Sequence, residues 1–188
     1  VEDQIDRATD ACALALVLQF DSGGVVVSDD RLDRLVAEIE GAEVPVGVWV
    51  GPSGSKATGD AVRLLAAADL TGVAPGSSIE VTPALLEARG LTASDLGTTD
   101  VGDRVGARRA VDLDLVDNDA PTILEYVVQI EGFETRVVDG RRQPVTEVTF
   151  GGVSLVGQLM HTVASPAVAY LLFVIGLELR PSRLWALR

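Results

Sequence analysis

The sequence has very few of the residues that build metal sites and covalent cross-links. Cys12 is the only cysteine and His161 the only histidine among 188 residues. An intrachain disulfide and a zinc site of cysteine and histidine ligands are therefore both excluded. A metal site would have to consist of carboxylates alone, and no run has the alternating aspartate spacing of a calcium loop. We expect no metal and no cofactor.

Positive charge is also scarce. The chain has 28 acidic residues against 15 basic ones, which gives a formal net charge of −13, and Lys56 is its only lysine. Because an acidic surface repels phosphates, we expect no nucleic-acid partner. At 47% hydrophobic residues, the chain has enough apolar side chains for one domain with a core, followed by a tail.

Strand and helix patterns alternate through the first 135 residues, which we take as one domain. A continuous apolar run at 12–20 predicts a buried strand, and apolar residues at helical spacing predict a helix over 28–41. Strands at 44–50, 70–73, 79–82 and 115–117 alternate with helices at 57–68, 83–89, 106–113 and 120–130. Repeated βα units predict an α/β fold with a mostly parallel sheet.

The C-terminal part reads as a hairpin and linker at 136–162, a helix at 163–180 and a basic tail at 181–188. Asp139-Gly140 is a typical hairpin turn. No charged side chain occurs between Glu147 and Glu178. A spanning helix needs about 20 apolar residues, so we expect a truncated membrane helix, with a helix packed on the domain as the alternative.

The flanks of that segment give an expectation for localisation. Arg180, Arg183 and Arg188 follow it, which predicts a cytoplasmic C-terminus and an extracytoplasmic folded domain on a membrane anchor. The first residue is Val1 rather than methionine, so we expect a processed or missing segment before it, and a signal peptide is neither visible nor excluded.

Two glycine-rich loops follow predicted strands, where sites form in open α/β sheets. The loop Asp21-Ser-Gly-Gly24 is suited to turning backbone N–H groups toward a developing oxyanion, with a plain turn as the alternative. The second loop, residues 51–58, has a lysine and a hydroxyl residue at a helix start, like a phosphate loop. However, Ser55 stands where a glycine must precede the lysine, and Thr58 is one position too late, so we do not expect nucleotide binding.

The order of these segments carries a resemblance. The loop ending in Ser22-Gly23-Gly24, the run Val44-Pro-Val-Gly-Val-Trp-Val-Gly-Pro52 and the turn Val73-Ala-Pro-Gly76 resemble the membrane-bound ClpP-class serine proteases that carry an NfeD domain. The apolar run at 166–177 looks like that family's first membrane helix. The resemblance implies a ClpP/crotonase-like fold, a serine nucleophile with a lysine base, and an oxyanion hole that includes Gly23 and Gly24.

The catalytic residues of that family are missing here. Counting forward along the family pattern from Pro52, or backward from the Ala-Pro-Gly turn, places Gly59 at the nucleophile, followed by Asp60-Ala61 where the family has Ala-Gly. No lysine follows Lys56, and an arginine cannot take its place because a guanidinium stays protonated. Gly59 has no side chain with which to attack a substrate.

Three functions follow as expectations. The first is a non-catalytic module that binds hydrophobic or membrane-derived peptides, or that assembles with itself, since the resemblance implies a homo-oligomer. The second is an active endopeptidase with Thr58 or another hydroxyl as nucleophile, although capping a helix is the more ordinary role of Thr58. The third is a structural partner of other membrane proteins. We expect no catalytic role for His161, and the sequence leaves open whether an NfeD barrel follows residue 188.

Overall fold

The computed structural model describes residues 2–23, 28–138, 140–150, 153–154 and 168–175. Its strands, in chain order, are β1 Ala13–Asp21, β2 Val46–Val50, β3 Lys56–Ala57, β4 Leu70–Val73, β5 Ser78–Glu80, β6 Arg104–Gly106, β7 Asn118–Asp119, β8 Thr135–Val138, β9 Arg141–Pro144, β10 Glu147–Phe150, β11 Val153–Ser154 and β12 Val168–Ile175. Its helices are α1 Glu2–Asp10, α2 Asp29–Glu40, α3 Val62–Ala66, α4 Pro83–Arg89, α5 Ala107–Asp112 and α6 Ile123–Val127, with 3₁₀ helices at Gly59–Ala61 and Ala93–Leu96.

A seven-stranded sheet in the order β11-β10-β12-β1-β2-β4-β7 forms the centre of the fold. All its pairings are parallel except that between β10 and β11. A second, three-stranded sheet in the order β3-β5-β6 lies beside the carboxyl ends of these strands, and β8 and β9 form a separate hairpin. The predicted α/β class with a mostly parallel sheet is confirmed.

The central strands are buried on both faces, as their continuous apolar runs predict. Leu16 and Leu18 of β1 belong to a large core cluster together with buried residues of α1 to α5. Ala15 and Val17, the alternate residues of the same strand, pack in a smaller cluster with Tyr126 of α6. Helices therefore cover both faces of the sheet, and the carboxyl ends of β1, β2 and β4 are left for loops.

Several elements have the bounds that the sequence predicts, and others do not. Strand β4 and helix α4 coincide with the predicted 70–73 and 83–89. The helix predicted over 57–68 instead divides into β3, a 3₁₀ helix and the short α3. The strand predicted at 115–117 lies at 118–119, because the Leu115 N–H donates back to the Ala110 carbonyl of α5 at 2.9 Å, so the chain is still turning out of that helix.

The membrane helix predicted over 163–180 is wrong for the part of it that the structure describes. Residues 168–175 form β12, which pairs in parallel with β1 on one side and with β10 on the other. This eight-residue segment is rich in β-branched and aromatic residues, and a short apolar run of that composition fits a strand buried in a sheet. Residues 163–167 and 176–180 lie outside the described residues.

Candidate functional site

The first glycine loop is tied to the second by backbone hydrogen bonds. The Ser22 N–H donates to the Lys56 carbonyl at 2.6 Å, and the Ser22 carbonyl accepts from the Thr58 N–H at 3.2 Å. The Asp21 carboxylate accepts from the Lys56 N–H at 2.9 Å. These bonds extend β1 alongside β3 and place Gly23 next to residues 58 and 59. A side chain at Gly23 would meet nothing within 4 Å, so the loop faces open space. Gly24 lies outside the described residues.

Gly59 begins the 3₁₀ helix directly after β3. Its φ of +62° is in the left-handed region, and a Cβ atom there would have no heavy atom within 4 Å. A residue other than glycine pays about 1–2 kcal/mol for that backbone conformation. The position that the family resemblance assigns to the nucleophile is therefore open where a side chain would start, and we call this space the notch at Gly59.

Thr58, the alternative nucleophile of the sequence analysis, is almost completely buried. Its side chain is 4% exposed, and its Oγ1 lies 3.5 Å from the Ser22 carbonyl, to which it donates. Thr58 does occupy the N-cap position of the 3₁₀ helix, as expected, but its side chain makes no capping hydrogen bond. The predicted capping role of this hydroxyl is therefore wrong, because the loop carbonyl takes the hydroxyl hydrogen instead.

The groups around Gly59 include acids, an exposed lysine and Arg104 of β6, the residue opposite Glu80 in the small sheet. Lys56 has an exposed side chain at the edge of the small sheet, and Asp60 is also exposed. Glu80, at the end of β5, is half-buried, and its Oε2 accepts from the Gly59 N–H at 3.2 Å. His161 lies outside the described residues.

Glu80 is the site residue that sequence reasoning missed. Residues 56 and 57 of β3 pair in parallel with 78 and 79 of β5, so Glu80 is the next residue of β5, level with the point where the chain turns at Gly59. Only this register brings its carboxylate to that amide. The sequence feature that could have pointed to Glu80 is a charged residue within the predicted strand 79–82.

The contacts that the structure shows around Gly59 are made by backbone groups and the Glu80 carboxylate. Gly59 has no side-chain hydroxyl, the hydroxyl of the preceding Thr58 is buried, and the Glu80 carboxylate accepts a hydrogen bond from the Gly59 amide. Among the described residues, no three histidine, cysteine or acidic side chains are arranged to hold a metal ion.

Comparisons with solved structures identify the architecture. The 1510-N membrane-bound stomatin-specific protease, solved as a lysine-to-alanine variant with a substrate peptide, superposes with a TM-score of 0.55 at 16% identity, covering 92% of this chain and 84% of that chain. A second structure, the 1510-N membrane protease specific for a stomatin homolog from Pyrococcus horikoshii, gives 0.54 at 21% identity, with 76% and 78% covered. An enoyl-CoA hydratase/isomerase family protein from Silicibacter pomeroyi gives 0.52 at 16% identity, with 69% and 66% covered.

The chain has the ClpP/crotonase-like fold. The expected resemblance to the membrane-bound proteases of this fold is thereby confirmed at the level of architecture. By sequence, no family profile and no curated protein matches. Within the described part of this ClpP/crotonase-like domain, no helix combines the length and the apolar character that crossing a membrane requires.

Proposed function

We propose that this domain is a non-catalytic member of the NfeD-type, ClpP-class protease family and that it binds extended peptide segments along the cleft between Gly23 and Gly59. The observation that carries the proposal is the notch at Gly59, where the backbone is exposed to open space and no hydroxyl is present. An extended peptide is held largely by main-chain hydrogen bonds, so such a cleft can bind without a nucleophile.

The ligand class that we propose is a hydrophobic peptide, including segments derived from membrane proteins. The fold supports a peptide ligand, since one similar structure was solved with a substrate peptide. The high negative charge of this chain does not favour strongly acidic ligands. Assembly into homo-oligomers and a structural role beside other membrane proteins are also proposals, compatible with the same surface.

A peptide-binding measurement tests the cleft. The backbone of Gly23 is outside the left-handed region, and a Cβ atom there would meet no heavy atom within 4 Å. The Gly23→Val variant should therefore fold normally while the valine side chain narrows the cleft. We expect affinity for fluorescent hydrophobic peptides to fall at least about tenfold, equivalent to about 1.4 kcal/mol. The matched control is Gly106→Val in β6, because Gly106 has equally open surroundings and no left-handed backbone. Equal affinity in both variants would contradict the proposed cleft.

The absence of catalysis is tested separately. The buried Thr58 hydroxyl, bonded to a carbonyl, lacks the access that attack on a substrate needs. We expect no covalent labelling by a fluorophosphonate probe, in the natural sequence or in Thr58→Ala. Labelling that disappears with Thr58→Ala would show an active hydrolase and overturn the non-catalytic assignment.

Membrane association is a further proposal within this function. It is supported by the membrane-bound nature of two structures with the same fold, and it does not rely on a helix at 168–175. The extracytoplasmic placement depended on arginines that flank a spanning helix and stays a prediction. Flotation with lipid vesicles tests the association directly, since a domain that stays at the bottom of the gradient does not bind lipid.

A further inference from the structure

The cleft contains one carboxylate that neither the family resemblance nor the fold explains. Glu80 is half-buried, and its Oε2 accepts the Gly59 N–H at 3.2 Å. A carboxylate accepts hydrogen bonds at both oxygens, and bonds to an ionised acceptor are the stronger kind. This amide borders the notch in which a bound peptide would lie, so the donor is already occupied in the unliganded domain.

The position of Glu80 is fixed by pairing on both sides of β5. Ile79, the residue before it, pairs with Ala57 of β3 and with Val105 of β6, and all three are buried. The backbone at residue 80 therefore has little freedom, and the carboxylate is held near the amide at high effective concentration. A peptide carbonyl that approaches Gly59 must compete with an acceptor that belongs to the same chain.

We propose that Glu80 is an autoinhibitory contact: its carboxylate occupies the Gly59 amide and must be displaced before a peptide main-chain carbonyl binds there. This inference rests on the proposed peptide-binding function. The carboxylate is an internal substitute for the ligand carbonyl, so the natural domain binds extended peptides more weakly than its cleft would otherwise allow.

The test compares peptide affinity in variants of residue 80. Glu80→Ala removes the acceptor, and we expect its affinity for an uncharged fluorescent hydrophobic peptide to rise roughly tenfold. Glu87→Ala is the matched control, because Glu87 is an exposed glutamate on α4 and its loss changes the net charge equally. Affinity should stay unchanged in that control, which separates occupancy of the amide from a general relief of negative charge.

A second variant and a second measurement keep the test independent of folding defects. Glu80→Gln keeps the side-chain size and removes the charge, so the NMR resonance of the Gly59 amide proton should shift while the rest of the sheet is unperturbed. An unchanged Gly59 resonance would overturn the contact. Equal peptide affinity in the natural protein and Glu80→Ala, or weaker binding in the variant, would overturn autoinhibition while the peptide-binding function stands. Failure of every variant to bind peptide would contradict the function itself, and the inference with it.

Discussion

Gly59 combines a left-handed backbone with open space where a side chain would start. Gly59→Ser would therefore fit sterically, but the left-handed backbone would cost about 1–2 kcal/mol of stability. We expect a folded protein with that loss in free energy of unfolding, measured by chemical denaturation. Because no lysine follows in the chain to accept the serine proton, we expect no labelling by a fluorophosphonate probe.

Gly90 provides a matched control for that substitution. Its φ is +64°, and a Cβ atom there also meets nothing within 4 Å, but it lies after α4 rather than at the cleft. Gly90→Ser should cost the same stability and leave peptide binding unaffected. A labelled serine in Gly59→Ser would mean that another group activates it, which contradicts the assignment of the cleft as unable to cut.

Asp117 is the residue with the clearest link to acid stability. Its carboxylate accepts from the Thr71 N–H at 2.6 Å, from the Thr71 hydroxyl at 2.7 Å and from Arg89 Nη1 at 2.7 Å. Burial acts to raise the pKa of Asp117, but the hydrogen bonds from Arg89 and Thr71 outweigh it and hold the pKa below its ordinary 3.8. The bond network joins β4, α4 and the segment before β7.

A carboxyl group whose pKa is lower in the folded state stabilises the fold at pH values above its unfolded-state pKa. That contribution is lost as the pH falls through the folded-state pKa. We expect Asp117→Asn to cost about 1–2 kcal/mol at pH 7, a modest value because the group is partly exposed. The loss should shrink as pH falls below about 4, because the unfolded state then takes up a proton that the folded Asp117, with its lower pKa, does not yet bind. Asp112→Asn, an exposed aspartate on α5, is the control, and urea unfolding across pH measures both. A constant difference at all pH values would exclude a titrating Asp117.

At the scale of single elements, the sequence predicted those whose signals are local. Helix α4 begins after Thr82, whose hydroxyl accepts from the Leu85 N–H, and it has proline at its first position. It ends at Gly90, so local sequence signals mark both of its ends. The helix over 57–68 was predicted to begin too early, because Ala57, its first residue, pairs with β5 instead. That pairing depends on residues more than twenty positions away, which a local pattern does not contain.

The candidate site divides in the same way. Gly59 was assigned to the nucleophile position by counting along the resembled family's pattern from two anchors, Pro52 and the Ala-Pro-Gly turn, and that assignment stays a prediction. The sequence did not predict the hydrogen bonds of Ser22 to residues 56 and 58, or the bond between Glu80 and the Gly59 amide. These bonds depend on how three segments come together in the fold. The hydroxyl of Thr58 was assigned to a cap because the neighbouring carbonyl of Ser22 is invisible in a local pattern.

Helix α6 docks on the sheet through one aromatic ring over two glycines. The Tyr126 hydroxyl donates to the Leu70 carbonyl at 2.9 Å, and the buried ring covers Gly47 of β2 and Gly72 of β4. A Cβ atom at Gly47 would lie 2.6 Å from the Tyr126 hydroxyl oxygen, whereas one at Gly72 would lie 2.5 Å from the ring carbon Cδ2. The two glycines therefore make room for different atoms of the same side chain.

This difference predicts an asymmetric pair of double-mutant cycles. Gly47→Ala and Gly72→Ala should each destabilise by about 1–3 kcal/mol through overpacking. Tyr126→Phe, which costs about 1 kcal/mol for its hydrogen bond, should relieve much of the loss from Gly47→Ala and little of that from Gly72→Ala. Thermal or urea unfolding of the six proteins, with the natural sequence included, measures the two coupling energies. Equal coupling energies would mean that the ring shifts as a whole.

At the scale of the whole molecule, β12 decides how the chain is organised. A short apolar run does not by itself distinguish a buried strand from part of a membrane helix, and the absence of charge between Glu147 and Glu178 favoured the helix. In the structure, the run is a strand that lies between β10 and β1, so its backbone groups face neighbouring strands on both sides. The proposed membrane association must therefore be consistent with a sheet that includes these residues.

Hydrogen exchange of backbone amides tests this organisation. Tyr170 is level with Leu16 of β1 on one side and with Thr149 of β10 on the other, so residues 169–171 lie in a ladder with neighbours on both sides. In buffer without lipid, we expect their amides to exchange as slowly as those of β1, within about tenfold, because such amides open only when the sheet does. The hairpin of β8 and β9, a separate two-stranded sheet, should exchange faster and is the internal control. If residues 169–171 exchange as fast as that hairpin and become protected only when vesicles are added, the segment belongs to the membrane and the sheet ends at β1.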